Sequence, residues 1–331
     1  VKTKILTILK SGDGFVSGQQ LCDGLGVSRT AVWKVINQLK DEGYGIDAVK
    51  NKGYRLELCP DVLTSENLVS SLAVVGCHNP VVSREVVDST NNLAKKLAEE
   101  GAEHGTLVVS EQQTGGKGRR GRSWVSPPGT GIWMTYILRP SISPTKASML
   151  TIVAAMAVLD AVTGELERLG KNCECGIKWP NDIVLNGRKV VGILTEMSAE
   201  PELVNYVVVG IGINVNTTDF PDDIKDTASS IYRETGVRLS RSRVIAGITK
   251  ALAGYYGIFM ETGDLSGLVQ EYNKMLINAG RQVRIMEPGN ERVGTAIGIG
   301  SDGELIVTLE DGRQEKVMSG EVSVRGLYGY V

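Results

Sequence analysis

The sequence predicts an α+β chain of three domains: a winged helix-turn-helix over residues 1–62, a central domain on a mixed sheet over 63–276, and a small all-β barrel over 277–331. Three observations predict it. A chain of 331 residues is longer than a single hydrophobic core usually supports, roughly 250–300 residues. Helical apolar spacing dominates the N-terminal segment and gives way to alternating strand and helix signals after residue 62. The last fifty or so residues hold only short strand-like runs separated by Gly- and Asp-containing turns.

In the N-terminal segment, Ile5, Leu6, Ile8 and Leu9 make a first short helix that the Ser11-Gly12 turn ends. Ser17-Gly-Gln-Gln20 is a capping-box pattern opening a second helix that runs to about Gly24. After the turn Gly24-Leu-Gly-Val27, Ser28 is a good N-cap for a third helix with Val32, Val35, Ile36 and Leu39 at i, i+3, i+4 and i+7. Strands Tyr44–Val49 and Tyr54–Leu58 then flank the turn Lys50-Asn-Lys-Gly53, so a basic hairpin follows the helix-turn-helix. The outer face of the third helix shows Arg29, Thr30, Trp33, Lys34, Asn37 and Lys40, cations and amides suited to phosphates and base edges. An isolated helix face of this kind is more often merely solvated. The hairpin that follows favours DNA, with Ser28 and Lys52 as further contacts. The segment carries nine Lys+Arg against seven Asp+Glu, the sign such a contact needs.

In the central domain Val81–Val87 reads as a strand, Asp88-Ser-Thr-Asn91 caps a helix stopped by Gly101, and Thr106–Ser110 is a strand again. Strand Gly131–Leu138 precedes a long apolar helix from Ala147 to about Leu169. Ile183–Leu185 and Val190–Leu194 flank Asn186-Gly187, a strong hairpin signal, and Tyr206–Val215 is another strand. In the C-terminal domain turns fall at Pro288-Gly-Asn290, Ser301-Asp-Gly303 and Asp311-Gly312. Gly298-x-Gly300-x-x-Gly303 matches a dinucleotide fingerprint, but a strand follows it where a helix is required, so the match is read as chance.

Composition bounds the function. With 36 Lys+Arg against 38 Asp+Glu, the chain is nearly neutral, which excludes a polycation or a charged disordered tail. The longest apolar stretch, Met149–Leu159, is well short of the ~20 residues that span a bilayer, so no membrane partner is expected. Five cysteines form an odd set without zinc spacing, and they read as reduced thiols of a cytoplasmic protein with no protein metal site.

Two clusters carry chemistry. Gly115-Gly-Lys-Gly-Arg-Arg-Gly-Arg-Ser-Trp124 packs three arginines and a lysine among four glycines, so backbone N–H groups and guanidinium forks can close around a polyanion. It is not a Walker A loop, and a disordered arginine-glycine segment is the bland alternative. The second is Lys178-Trp-Pro-Asn-Asp182, followed by Arg188 and Lys189 just past the hairpin turn.

These clusters, with Asp88-Ser-Thr-Asn91 and Gly210-Ile-Gly-Ile-Asn214, closely resemble biotin protein ligases over essentially the whole chain, and the winged helix resembles that of the bifunctional kind that also represses biotin genes. The resemblance implies an SH3-like C-terminal barrel and a homodimer promoted by biotinyl-5'-AMP. It also implies ATP and biotin as substrates with Mg2+, and biotin carboxyl carrier protein and operator DNA as partners. By resemblance, biotin lies against Ser89, Thr90, Asn91, Gln113, Lys117, Gly118, Arg119 and Lys189, and ATP against Arg119, Arg122, Lys189 and Asn214. Lys117 stands where the family's loop commonly has its first arginine.

The chemistry agrees. Forming an acyl-adenylate brings a carboxylate against the α-phosphate of ATP, so cations are required, and Arg119, Arg122 and Lys189 supply them. The carboxylate is itself the nucleophile, so no Ser-His-Asp set is needed, and His78 and His104 read as structural or solvated. Asp182 is a candidate base for the carrier lysine or an orienting group, and completes a catalytic set with Arg119 and Lys189. Strand Val190–Leu194 is expected to be an edge that pairs with its twin in the dimer. A biotin sensor without useful ligation and a lipoate-ligase-like enzyme are the competing readings.

Overall fold

The computed structural model describes residues 1–287, 290–319, 323–326 and 330–331. The N-terminal segment forms α1 (Lys2–Ser11), α2 (Gly18–Leu25), α3 (Arg29–Asp41) and the antiparallel hairpin β1 (Gly45–Val49) and β2 (Gly53–Leu58). The capping box closes as its pattern requires: Ser17 Oγ accepts from Gln20 N, and the Gln20 side chain accepts from Ser17 N. Ser28 Oγ accepts from Ala31 N and so starts α3. Ile5, Leu6, Leu9, Leu21, Val32, Ile36 and Leu39 enclose a small separate core that Tyr44 and Ile46 complete. Val16 exchanges backbone hydrogen bonds with Tyr54, at 2.8 and 2.9 Å, and ties the hairpin back to the helices. Gly53 permits that approach, because it has φ 109° and a Cβ there would strike the Val16 backbone.

Polar contacts join this domain to the next. Lys10 Nζ, on α1, lies against α4 (Ser65–Val74), 2.6 Å from Asn67 Oδ1, 2.9 Å from Ser70 Oγ and 2.8 Å from Ser71 Oγ. Burial pushes Lys10 down to about 8. Arg241, only 1% exposed, holds the connecting segment through Asp61 and reaches Glu111 at 2.7 Å.

The central sheet contains β3 (Val81–Val87), β4 (Thr106–Gln113), β5 (Gly131–Leu138), β6 (Cys175–Lys178), β7 (Asp182–Leu185), β8 (Arg188–Ala199) and β9 (Val204–Asn214), in the order β3-β4-β5-β9-β8-β7-β6. Only β3 and β4 run parallel, so the sheet is mixed, as expected. Asn186 and Gly187 both take positive φ in the β7–β8 turn. One face packs on α4, α6 (Met149–Arg168) and α8 (Arg241–Thr262), the other on α5 (Thr90–Glu99). The helix that includes α6 is apolar and long enough to cross a membrane by composition, but 72% of that stretch is buried between the sheet and α8.

After α7 (Ile231–Thr235) and α9 (Val269–Met275), β10 (Gln282–Glu287), β11 (Asn290–Ile299), β12 (Leu305–Leu309), β13 (Gln314–Val317) and β14 (Ser323–Gly326) make a five-stranded antiparallel sheet. Val283, Ile285, Ile299 and Leu305 join the core of the central domain, so the C-terminal domain shares its apolar interior with its neighbour. The Gly298–Gly303 segment is the end of β11 and the turn that leads to β12. The expected Pro288-Gly289 turn lies outside the described residues.

One expectation is corrected. Val190–Leu194 is not an edge: Gly192 pairs with Asp182 of β7 on one side and Gly212 of β9 on the other, and Ile193 N donates to Asn181 O. Beyond Ile193, β8 has β9 as its only strand neighbour among the described residues, so the open edge begins farther along the strand. Alternating hydrophobicity cannot reveal this, because register depends on where the short β7 stops.

Candidate active site and nucleic-acid interface

The site follows from side-chain alternation on β9. Tyr206 and Val208 point to the α5 face and pack there, and the next two residues on that face are Gly210 and Gly212. Removing the side chains opens a cavity of about 250 Å³ over the sheet. Gly212 receives the Trp124 indole, which a Cβ would meet 2.7 Å from Nε1, and Gly192 lies under the same ring. A Cβ on Gly210 would collide with the Asn91 amide. Trp124 Nε1–H, lying against Gly212, is buried without a hydrogen-bond partner among the described residues.

One end of the cavity is neutral and interlocked. Gln113 Oε1 accepts from Thr90 N at 2.8 Å and lies 3.1 Å from Thr90 Oγ1, while Gln113 Nε2 donates to Ser126 Oγ at 2.9 Å. Thr135 Oγ1, fully buried on β5, sits 2.9 Å from Thr90 Oγ1 and 2.7 Å from Asn91 Oδ1. Asn91 Nδ2 donates to Leu194 O and to Glu196 Oε2, at 3.2 and 2.8 Å. Burial would raise the Glu196 carboxyl, but hydrogen bonds from Lys95 and Asn91 bring it below the usual carboxylate range.

The other end is charged. Residues 115–124 form a small hairpin, with Gly118 N donating to Arg122 O and Trp124 N to Gly116 O. Its tip uses positive φ at Arg120 and Gly121. Arg119 crosses to Asn181 Oδ1 at 3.0 Å, and burial depresses its pKa even though Asp182 acts in the opposite direction. Lys189 Nζ lies 2.5 Å from Asp182 Oδ1 and 5.3 Å from the Trp124 ring centre. A bulge puts it there: Ile183 pairs with Val191 but Val184 pairs with Lys189, so Val190 is the extra residue and Lys189 turns onto the face of Asp182 and Gly192. Tyr330 Oη donates to Asp182 Oδ2 at 2.5 Å, and Lys178 Nζ sits 3.5 Å from the Tyr330 ring centre.

Residues 83–214 match the biotin/lipoate A/B protein ligase family, 1–55 an HTH domain and 279–325 the biotin protein ligase C-terminal domain. The bifunctional ligase/repressor BirA of Bacillus spizizenii is 39% identical over 319 residues, 95% of each chain. The chain belongs to the biotin protein ligase family. The Escherichia coli bifunctional ligase/repressor BirA is 30% identical over 98% of this chain and 97% of its own. The Aquifex aeolicus biotin protein ligase solved with biotin and ATP superposes with a TM-score of 0.63 and 28% identity, covering 75% of this chain and 99% of that one.

In this member of the family, Ser89, Thr90, Asn91, Gln113, Lys117, Gly118, Arg119, Arg122, Asp182 and Lys189 all line the one cavity, although they come from five separate stretches of sequence. Asn214 does not line it: its Nδ2 donates to Ser229 O, holding the segment after β9. Asn91 is spent on protein partners, so it positions its neighbours. Lys117 extends outward to Asn92 Oδ1 at 2.9 Å, which a single ammonium satisfies without a guanidinium fork. Sequence reasoning missed Thr135, Ser126 and Tyr330, and named Lys178 within its cluster without giving it a role. Thr135 is a polar residue in an otherwise apolar strand, a signal that was available; Tyr330 offered none.

On the N-terminal domain, Ser28, Arg29, Thr30, Trp33, Lys34 and Lys52 are exposed and Asn37 is half-buried. Trp33 is 61% exposed, unusual for its size on a packed helix. Arg29 is braced by Gln19 Oε1 at 2.8 Å, and Arg55 stacks over Phe15 beside the hairpin.

Proposed function

We propose that the protein activates biotin with ATP to biotinyl-5'-AMP, transfers the biotinyl group to a lysine of biotin carboxyl carrier protein, and represses biotin genes by binding operator DNA as an adenylate-promoted homodimer. The observation that carries the reading is one cavity with a neutral hydrogen-bonding end at Thr90 and Gln113 and a cationic end at Arg119, Arg122 and Lys189. An uncharged ureido ring suits the first and a carboxylate meeting a phosphate suits the second. The biotin carboxylate attacks the α-phosphorus, a new C–O–P link forms and pyrophosphate leaves, with Arg119 and Lys189 offsetting the charge that gathers. The carrier amine then attacks the acyl carbon and AMP departs.

Asp182 is engaged by both Lys189 and Tyr330, which favours an orienting role over that of a base. Mg2+ arrives with ATP; Asp182 is the sole carboxylate among the described residues lining the cavity, so the triphosphate supplies most of the metal's ligands. The five unpaired cysteines fit a reducing cytoplasm. The open stretch of β8 beyond Ile193 offers the backbone edge for a dimer.

Pyrophosphate exchange into ATP tests the ligase: exchange should require biotin, and lipoate should not replace it. Exchange supported by lipoate alone would move the assignment to the related acyl ligases. For the repressor, neutralising Arg29, Lys34 or Lys52 should weaken operator binding and lower its salt slope by ~0.9 for each phosphate no longer neutralised. Sedimentation with biotin and ATP should show tighter self-association than without.

A further inference from the structure

Asp182 is only 9% exposed and takes one partner on each oxygen. The two partners differ in kind. Tyr330 donates a short hydrogen bond to Oδ2, whereas Lys189 approaches Oδ1 at 2.5 Å without an aligned hydrogen bond. Lys189 is thus held mainly by charge, and it is the partner able to leave for another anion. Tyr330 is itself anchored from the other side, by the Lys178 ammonium against its ring face. Lys178 in turn belongs to a segment pinned by the C-terminal domain, since Trp179 Nε1 donates to Gly303 O and Trp179 N to Asn278 Oδ1.

We propose that Tyr330 is a positioning residue for adenylate formation: its hydroxyl fixes the Asp182 carboxylate so that one oxygen alone faces Lys189, leaving that lysine free to move onto the reacting phosphate. Without this donor, a carboxylate in a nearly dry site turns both oxygens toward the cations beside it, Lys189 and Arg119. Both would then be retained by Asp182 when the phosphate needs them. The C-terminal β domain thereby acts on chemistry carried out by the central sheet, through one phenol that a sequence separation of 148 residues hides.

The inference rests on the proposed phosphate role of Lys189, and the experiment separates the two. Single-turnover adenylation is measured for the full chain, Tyr330→Phe, Lys189→Ala and the double variant, with melting temperatures. Tyr330→Phe keeps the ring over Lys178 and loses only the hydroxyl. It should slow the step by about tenfold at saturating ATP and biotin, leave the KM for biotin unchanged, and cause no further slowing on top of Lys189→Ala. A wild-type rate in Tyr330→Phe overturns the proposal, and so does equal slowing in both backgrounds or slowing that tracks a lowered melting temperature. If Lys189→Ala is itself as fast as the full chain, the reading of Lys189 fails first.

Discussion

The two ends of the cavity are built in opposite ways. At the neutral end, Thr90, Asn91, Gln113, Ser126 and Thr135 hydrogen-bond one another on adjoining strands and the start of α5. At the charged end, Arg119, Lys178, Asp182, Lys189 and Tyr330 come from a loop, two strands, a strand start and the C-terminal segment, and charge contacts dominate. Interlocked buried dipoles have little freedom and suit recognition of an unchanging ring. Cations on long side chains can follow charge as it moves from carboxylate to pyrophosphate and AMP. On the proposed function, the contrast places shape selection and catalysis on separate kinds of scaffold within one site.

Breaking the charged end should give the largest effects. Lys189→Ala should slow adenylate formation by ~10²-fold or more at saturating biotin, as single-turnover rates would reveal. Next comes Arg119→Gly, in which the adenylate still forms but leaves at least ~10-fold faster, because the 115–124 hairpin loses its tie to Asn181. Labelling of bystander proteins in a lysate checks this; labelling confined to the carrier contradicts it.

The neutral end should respond in binding instead. Thr135→Val keeps the shape but withdraws the hydroxyl between Thr90 and Asn91, so the KM for biotin should rise up to about tenfold with kcat nearly unchanged. A fall in kcat with a constant KM would erase the division between the two ends.

The smallest expected effect lies outside the cavity, where the half-buried Lys10 joins the first two domains. Its folded pKa of about 8 lies below the ordinary 10.5, so between those values the folded protein binds fewer protons than the unfolded chain. Stability therefore rises with pH across that window. Relative to Lys10→Met, the wild type should gain about 2 °C or more in melting temperature from pH 8 to pH 10. A constant difference between the two proteins would mean that Lys10 keeps its proton throughout.

Much of this was legible in advance. Capping at Ser17 and Ser28, the Asn186-Gly187 turn and the winged-helix order rest on interactions a few residues apart, and their physics is local. The motifs also named most of the cavity's lining. The resemblance, however, placed Asn214 on ATP, where its amide is used to hold a loop, and the expected dimer pairing cast Val190–Leu194 as an edge, where β7 in fact covers the strand as far as Gly192.

The sequence alone determined the winged-helix elements, most of the central strands and the neutral and cationic chemistry available, because propensity, capping and composition are properties of short stretches. Tertiary structure decided the rest. The bulge at Val190 turns Lys189 toward Asp182, and the packing of the C-terminal sheet on the central core brings Tyr330 to the same carboxylate. Both depend on register and docking between distant segments, which are settled by the best collective burial of apolar faces and leave no mark on the local pattern.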